Sequence, residues 1–100
     1  MFYHLKTNAG NTEAVIDDNC GVAKFYAIAA TLKTGLQVKF LNQIDDSDNL
    51  DWDFRYKTHL LTLHYNVFNG VSIFPQHIKN IQKENNAVME LAHFLERRTY

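Results

Sequence analysis

A chain of one hundred residues is long enough for one folded domain. Its 46% apolar side chains exclude a disordered chain, and its net charge of −1 excludes a general nucleic-acid binder, which would be strongly basic. The single cysteine, Cys20, cannot form an internal disulfide, which is typical of a reducing compartment. Residues 1–10 lack the basic and apolar regions of a secretory signal, and no apolar run is long enough to cross a membrane, so a cytoplasmic protein is expected.

Two hydrophobic periods divide the chain into strands and helices, because period-two alternation predicts a strand and three- or four-residue spacing predicts a helix. In chain order the sequence predicts strands at 2–7 and 13–17, a helix at 21–34, strands at 37–44, 50–58, 59–65 and 71–74, and a helix at 84–97. In the third strand Val38, Phe40 and Ile44 alternate as one apolar side. The interval 76–82 stays open between a helical turn and a loop.

Both predicted helices carry an apolar stripe, which is the side that would pack against a sheet. The first stripe consists of Val22, Phe25, Tyr26, Ala29 and Leu32. The second consists of Val88, Leu91, Ala92 and Leu95. Gly35 follows the first helix where a left-handed residue commonly ends a helix, so the helix is expected to stop there.

The stretch 59–75 predicts a hairpin around which the sheet is built, and the length of its turn decides which side chains share a face. A tight turn at 69–70 would mix polar and apolar side chains on one face. A five-residue loop over 66–70 puts all the apolar residues on the same face, so this longer loop is predicted, with Phe68 near its tip. The cross-strand pairs it creates are Tyr65 with Val71 and Leu63 with Ile73.

Consecutive strands joined by short polar loops favour antiparallel neighbours, and two amphipathic helices can cover one face of such a sheet. The sequence therefore predicts a single α+β domain over residues 1–100, an antiparallel sheet of about five to six strands with two helices packed on one face. The core is expected to contain Phe25, Ala29, Trp52, Phe54, Leu61, Leu63, Ile73, Val88 and Leu95.

The residue types that carry chemistry form no catalytic or metal-binding pattern. His59 and His64 lie five residues apart on one strand, which places them on opposite faces, and His64 is expected to be exposed. Cys20 precedes a helix, whose dipole can lower a thiol pKa, but no accompanying motif frames it, so a buried or capping role is the better interpretation. No catalytic residue, metal ligand or cofactor is predicted, and an enzyme ranks last among the hypotheses.

Acidic side chains are concentrated in one part of the chain. Five of the eleven fall within nine residues, namely Asp45, Asp46, Asp48, Asp51 and Asp53, and no lysine or arginine lies between Lys39 and Arg55. A calcium loop would need a turning glycine among them, and a glycosidase would need carboxylates opposed across a cleft. Two interpretations stay open: a solvated loop, or an acidic patch that speeds and selects the encounter with a basic partner.

Four short motifs resemble those of a known class of protein. They are Asp-Trp-Asp-Phe at 51–54, Leu-x-Leu-His-Tyr at 61–65, Gly-x-Ser-Ile-x-Pro at 70–75 and Phe-Leu-Glu at 94–96. Over about residues 16–96 the chain resembles small bacterial immunity proteins of contact-dependent growth inhibition and related toxin systems. Proteins of this class bind a cognate toxin domain and block it, and they are not enzymes.

The resemblance implies a protein partner, with no role for nucleic acid, membrane or cofactor. Many such toxins are nucleases, an RNase being favoured here, and their basic active sites would be covered by an acidic inhibitor. The expected binding residues are the five aspartates, with Asp51 and Asp53 preferred because a strand holds them rigidly, and Phe68 as an aromatic anchor. The free protein is expected to be a monomer. The alternative is a cytoplasmic binding or regulatory module of the same fold with no toxin partner.

Overall fold

The strands pair into one antiparallel sheet, as a computed structural model shows for residues 3–6, 12–46, 48–76 and 81–96. In chain order the elements are β1 (Tyr3–Lys6), β2 (Thr12–Asp17), α1 (Val22–Gly35), β3 (Lys39–Asp45), β4 (Asn49–Tyr56), β5 (His59–Asn66), β6 (Gly70–Pro75) and α2 (Ile81–Glu96). The six strands are ordered β1-β2-β6-β5-β4-β3, and every neighbouring pair is antiparallel. The predicted α+β class is confirmed.

The β5–β6 hairpin lies in the middle of the sheet, and its register is the one that the apolar pattern predicts. The pairs are Leu63 with Ile73, Tyr65 with Val71 and Asn66 with Gly70. Gly70 has a φ of +77°, and a Cβ at this position would lie 1.8 Å from the carbonyl oxygen of Asp17. Because only glycine permits so close an approach, the hairpin is held directly against the end of β2.

Both helices pack on the same face of the sheet, the helix face. The ring of Phe25 on α1 meets the ring of Trp52 on β4 edge-on, with centroids 5.0 Å apart. Tyr56, which shares the alternation of Trp52 along β4, donates a hydrogen bond to Glu90 on α2 at 2.8 Å. Of the predicted core residues, all are buried except Trp52, which is half-buried against the same cluster.

His59 and His64 lie on opposite faces of β5, as predicted. His59 lies on the helix face, where its Nδ1 is 2.8 Å from Oε1 of Glu84, a buried residue in the first turn of α2. His64 lies on the other face, which is called the open face below because neither of the two described helices packs on it. The two histidines therefore belong to separate environments.

The predicted apolar stripe of α1 is partly wrong. Val22 and Tyr26 are exposed, and Ile28 is fully buried instead. The side of the helix that meets the sheet is defined by Phe25, Ile28 and Leu32, so Val22 and Tyr26 fall at its margin. Two large apolar side chains are thereby left at the surface.

The chain after α1 also departs from the prediction. Gly35 is the last helical residue and is not left-handed; Gln37 takes that conformation, with a φ of 58°. A β-bulge between Phe40 and Asn42 then reverses the alternation of β3, because one extra residue shifts every later side chain to the other face. Ile44, predicted to share a side with Phe40, is consequently exposed on the open face.

Three predicted features reach beyond the described residues, and one of them is the first strand, predicted at 2–7 and described at 3–6. The interval 76–82 is described only at its ends, where Gln76 follows β6 and α2 begins at Ile81, and the predicted helix end at 97 lies outside the described part of the chain. Within the described ranges, no helix is both long enough and apolar enough to cross a membrane.

Candidate functional site

The fold separates the acidic cluster into two groups on different sides of the sheet. Asp45, Asp46 and Asp48, the turn aspartates, lie at the end of β3 and in the β3–β4 turn. Asp51 and Asp53, the strand aspartates, lie within β4 and point to the open face, since Trp52 and Phe54 between them point to the helices. The five carboxylates therefore do not form one surface.

The strand aspartates are bound to neighbouring strands. Oδ1 of Asp51 is 2.6 Å from Nδ1 of His64, and Oδ1 of Asp53 accepts the Thr62 hydroxyl at 2.7 Å. Gln76 donates a further hydrogen bond to Oδ2 of Asp53 at 3.3 Å. His64 is half-buried in this network, so the prediction that it is exposed is wrong. These carboxylates already have partners inside the sheet.

The turn aspartates, by contrast, are exposed and line a concavity of about 400 Å³. Its remaining lining residues are Val22, Tyr26, Asn49, Leu50, Tyr65 and Val67. The Nε1–H group of Trp52 donates to Oδ1 of Asp45 at 2.9 Å, and the Asp46 amide donates to the Asn49 carbonyl at 2.8 Å. Among the described residues that line this concavity, three are carboxylates and none is basic, over a floor of aliphatic and tyrosine side chains.

Phe68 is the most exposed large apolar side chain of the described residues, at 81% exposure, in the β5–β6 turn. Its backbone is fixed, because the Phe68 amide donates to Oδ1 of Asn66 at 2.8 Å. The neighbouring Val67 amide donates to the carbonyl of Asp48 at 3.2 Å, which joins this turn to the one carrying the turn aspartates. A rigid backbone thus presents an aromatic ring to solvent beside an acidic concavity.

A second concavity, of about 390 Å³, lies on the other side of Phe68 and extends onto the open face. Phe68 lines it together with Glu13, Asp18 and His64. The β2–α1 connection, the β3–β4 turn and the β5–β6 turn therefore meet at one end of the sheet, called the loop end here. Its centre is a phenylalanine, and carboxylates lie on both sides of it.

A cation close to the loop end is neutralised within the fold. Nζ of Lys24 on α1 is 2.7 Å from Oδ2 of Asp17. This hydrogen bond is the main reason that the pKa of Asp17 lies below its ordinary value. The pair leaves the acidic character of the loop end to Asp18 and the turn aspartates.

Sequence reasoning finds the turn aspartates and Phe68 but misses the residues that complete the surface. Val22 and Tyr26 fit the helical spacing of a core stripe, so nothing in their positions shows that they are exposed. Glu13 and Asp18 are remote in sequence and join the loop end only because β2 pairs with β6. Strand order, which no local pattern specifies, is the missing information.

Neither candidate nucleophile has the geometry of an activated one. Ser72 on β6 lies opposite His64 in the ladder, with Asp51 on the far side of the imidazole, but no hydrogen bond joins Ser72 to His64 within the described residues. Burial, and secondarily the charge of Asp17, raises the pKa of the Cys20 thiol, the opposite of an activated thiolate. No group of three or more potential metal ligands exists in the described ranges.

Comparison of the chain with protein-family models, with curated proteins and with solved structures finds no match. The class of protein therefore has to be argued from the surface itself. The surface at the loop end consists of an exposed aromatic side chain on a fixed turn, two flanking concavities and an excess of carboxylates.

Proposed function

We propose that this chain is an immunity protein that binds and neutralises a bacterial toxin domain, a nuclease and most simply an RNase, by covering its basic substrate cleft. The observation that carries the proposal is the loop end. There Phe68, at 81% exposure, stands between two concavities, each of which has carboxylates in its wall. The motif resemblance supplies the class of partner, and the surface supplies the way in which it would be bound.

The physical argument is complementarity with a phosphate-binding site. A nuclease concentrates lysine and arginine where it grips its substrate, so a surface that replaces the phosphates must be anionic. Carboxylates at the rim of an interface raise the association rate, while aromatic residues near its centre supply most of the binding energy. The loop end has this arrangement, with Phe68 at the centre and the turn aspartates at the rim.

The strand aspartates have a different role in this proposal. Asp51 and Asp53 would have to give up hydrogen bonds to His64 and Thr62 before they could pair with a partner's cations. The loss of those bonds would offset the gain, so the more exposed turn aspartates are proposed as the partner-binding carboxylates. Asp45 would keep the hydrogen bond from Trp52 at Oδ1 and bind the partner through Oδ2. Phe68 keeps the anchoring role expected from the sequence.

The test begins with the reading frame that neighbours the gene, which is expected to encode a toxin with a nuclease domain. Co-expression of that domain with this chain should protect cells, and the two proteins should co-purify. Phe68→Ala should weaken binding at least about 30-fold, since truncated hot-spot residues cost about 2 kcal/mol or more. Leu41→Ala, at an exposed apolar position on β3, is the matched control and should bind normally.

The competing hypothesis is a binding or regulatory module that uses the same surface for another basic protein. An unrelated metabolic gene beside this one, together with the absence of protection and co-purification, would favour that module. Unchanged binding by Phe68→Ala would contradict the proposed binding surface even if protection were observed.

A further inference from the structure

The edge of the sheet at β3 is a second surface, and of its residues the proposed function uses only Asp45, at the end of the strand. Within the described part of the chain, β3 is the last strand in the sheet order and pairs only with β4. It is seven residues long, whereas the strand at the opposite edge, β1, has four. An edge strand presents unpaired backbone donors and acceptors, and natural proteins usually shorten, charge or interrupt such an edge.

The middle of β3 is interrupted by the bulge after Phe40, but it is neither short nor charged. Residues 40–44 read Phe-Leu-Asn-Gln-Ile, five uncharged positions in a row without proline or glycine. Leu41 and Ile44 are 57% and 47% exposed, respectively. Such a segment is suited to pairing with another strand and would gain burial of its apolar side chains by doing so.

The bulge in β3 makes this edge complementary to itself. In an unbroken strand, residues five apart point to opposite faces, but the extra residue at the bulge brings Lys39 and Ile44 to the same face. Their partners on β4, Arg55 and Asp51, occupy the open face as well. Phe40 and Gln43 correspondingly share the helix face, because they pair with Phe54 and Trp52.

Charge is also arranged with opposite signs at the two ends of the edge. Lys39 and its ladder partner Arg55 lie at the beginning of β3, while Asp45 lies at its end and Asp51 beside Ile44. A strand that pairs antiparallel to β3 must therefore be acidic where β3 is basic, and basic where β3 is acidic. A second copy of β3, running in the opposite direction, meets both requirements.

We propose that two copies of this chain associate through β3, antiparallel about a two-fold axis between Leu41 and Asn42, into a continuous sheet of twelve strands, twice the six of one copy. In this register Lys39 lies opposite Ile44 of the second copy, and hence beside that copy's Asp51. Leu41 lies opposite Asn42 and next to Leu41 of the second copy, which covers both leucines. Because of the bulge, Lys39 and Ile44 pair on one face, and Phe40 and Gln43 pair on the other.

The sequence predicts a monomer. The dimer is proposed from the strand order, which places β3 at an edge of the sheet and which the sequence does not give. The inference does not depend on the proposed function. Antiparallel pairing points the two loop ends in opposite directions, so Phe68, Asp46 and Asp48 stay accessible in both copies. A dimer could thus bind one partner at each extremity.

The experiment measures molar mass by light scattering and sedimentation equilibrium as a function of protein concentration. The wild type should rise from 11.6 kDa towards twice that value, and added salt should shift the equilibrium towards the monomer. Ile44→Lys sets one lysine against Lys39 of the other copy, so this variant should stay at the monomer mass. Leu41→Lys, a second break at the two-fold axis, should do the same, with circular dichroism confirming that both variants fold.

Val67→Lys is the matched control, because Val67 is 46% exposed, like Ile44, but lies at the loop end. This variant should dimerise as the wild type does, and β3 amides should gain hydrogen-exchange protection with concentration. A wild type that remains at 11.6 kDa at every concentration would overturn the proposal. So would a dimer that survives both β3 variants, or one that Val67→Lys dissociates, since the interface would then lie elsewhere.

Discussion

The turn aspartates and the strand aspartates are the same residue type within nine positions of sequence, yet the fold gives them different tasks. Asp51 and Asp53 are bound across the open face to His64 and Thr62, at 2.6 and 2.7 Å. The turn aspartates are exposed around a concavity floored by apolar side chains. Local charge density therefore does not locate a binding surface by itself. What matters is how exposed each carboxylate stays, since Asp45 also accepts a hydrogen bond, from Trp52, yet remains exposed.

The contrast between the two groups of aspartates requires that β4 and β5 hold the strand aspartates firmly in the sheet. Leu63→Ala tests this requirement and should have the largest effect of the variants discussed. Leu63 is fully buried on the helix face and pairs with Trp52, which lies between the two strand aspartates. Its truncation should lower the free energy of unfolding by about 2–5 kcal/mol, because it removes buried methyl groups and leaves a cavity. Chemical denaturation measures the loss. A value near zero would show that these strands do not fix the positions of the strand aspartates.

The two groups of aspartates should differ next in their contributions to stability. Asp53→Ala leaves the hydroxyl of Thr62, a residue that is 4% exposed, without its acceptor, and should cost about 1–3 kcal/mol. Asp48→Ala, at an exposed turn position, should change stability by no more than about 0.5 kcal/mol. Thermal and denaturant unfolding of the two variants provide the comparison. Equal losses would remove the distinction between a structural and an available carboxylate.

The smallest expected effect concerns Asp17 and Lys24 beside the loop end. The pKa of Asp17 is lowered by the hydrogen bond from Lys24, so the ionised carboxylate stabilises the folded state at neutral pH. Lys24→Gln should cost no more than about 1 kcal/mol there, since both side chains are partly exposed. The difference from wild type should disappear as the pH falls through the lowered pKa of Asp17, below the ordinary range of an aspartate, where the carboxylate becomes protonated. A difference that persists in acid would assign the effect to packing of the lysine stem instead.

Much of the fold follows from local pattern. Alternation places Leu61 and Leu63 on one face of β5, and the same pattern specifies the register that pairs Leu63 with Ile73. The predicted five-residue loop is too long, because Asn66 and Gly70 belong to the strands and leave a turn of residues 67–69. Features that depend on a single inserted residue do not follow: the bulge after Phe40 exposes Ile44, and no residue type in β3 signals it. The period of the apolar residues predicts which side chains of a strand share a face. It does not predict whether that strand lies at an edge or in the middle of the sheet.

The candidate site is predicted less completely, for the same reason. The exposure of the turn aspartates and Phe68 can be predicted from the sequence because these residues fall in turns, which lie at the protein surface. The preference for Asp51 and Asp53 as binding residues rests on the rigidity of a strand. That rigidity is present, but it comes from hydrogen bonds that occupy both carboxylates. Rigidity and availability are separate properties, and only the fold distinguishes them.

The central claim, that the loop end binds a basic partner through the turn aspartates, is tested most directly by association kinetics. Two variants are compared with wild type at low and high salt: one with the turn aspartates changed to asparagine, the other with both strand aspartates so changed. The partner is the toxin domain encoded beside the gene, and the strand variant is assayed where it remains fully folded.

The turn variant should associate at least about tenfold more slowly at low salt, and its rate should depend less on salt, because its steering charges are gone. The strand variant should associate at the wild-type rate with the wild-type salt dependence. The opposite pattern, or identical rates and salt slopes for all three proteins, would contradict the claim that the turn aspartates face the partner.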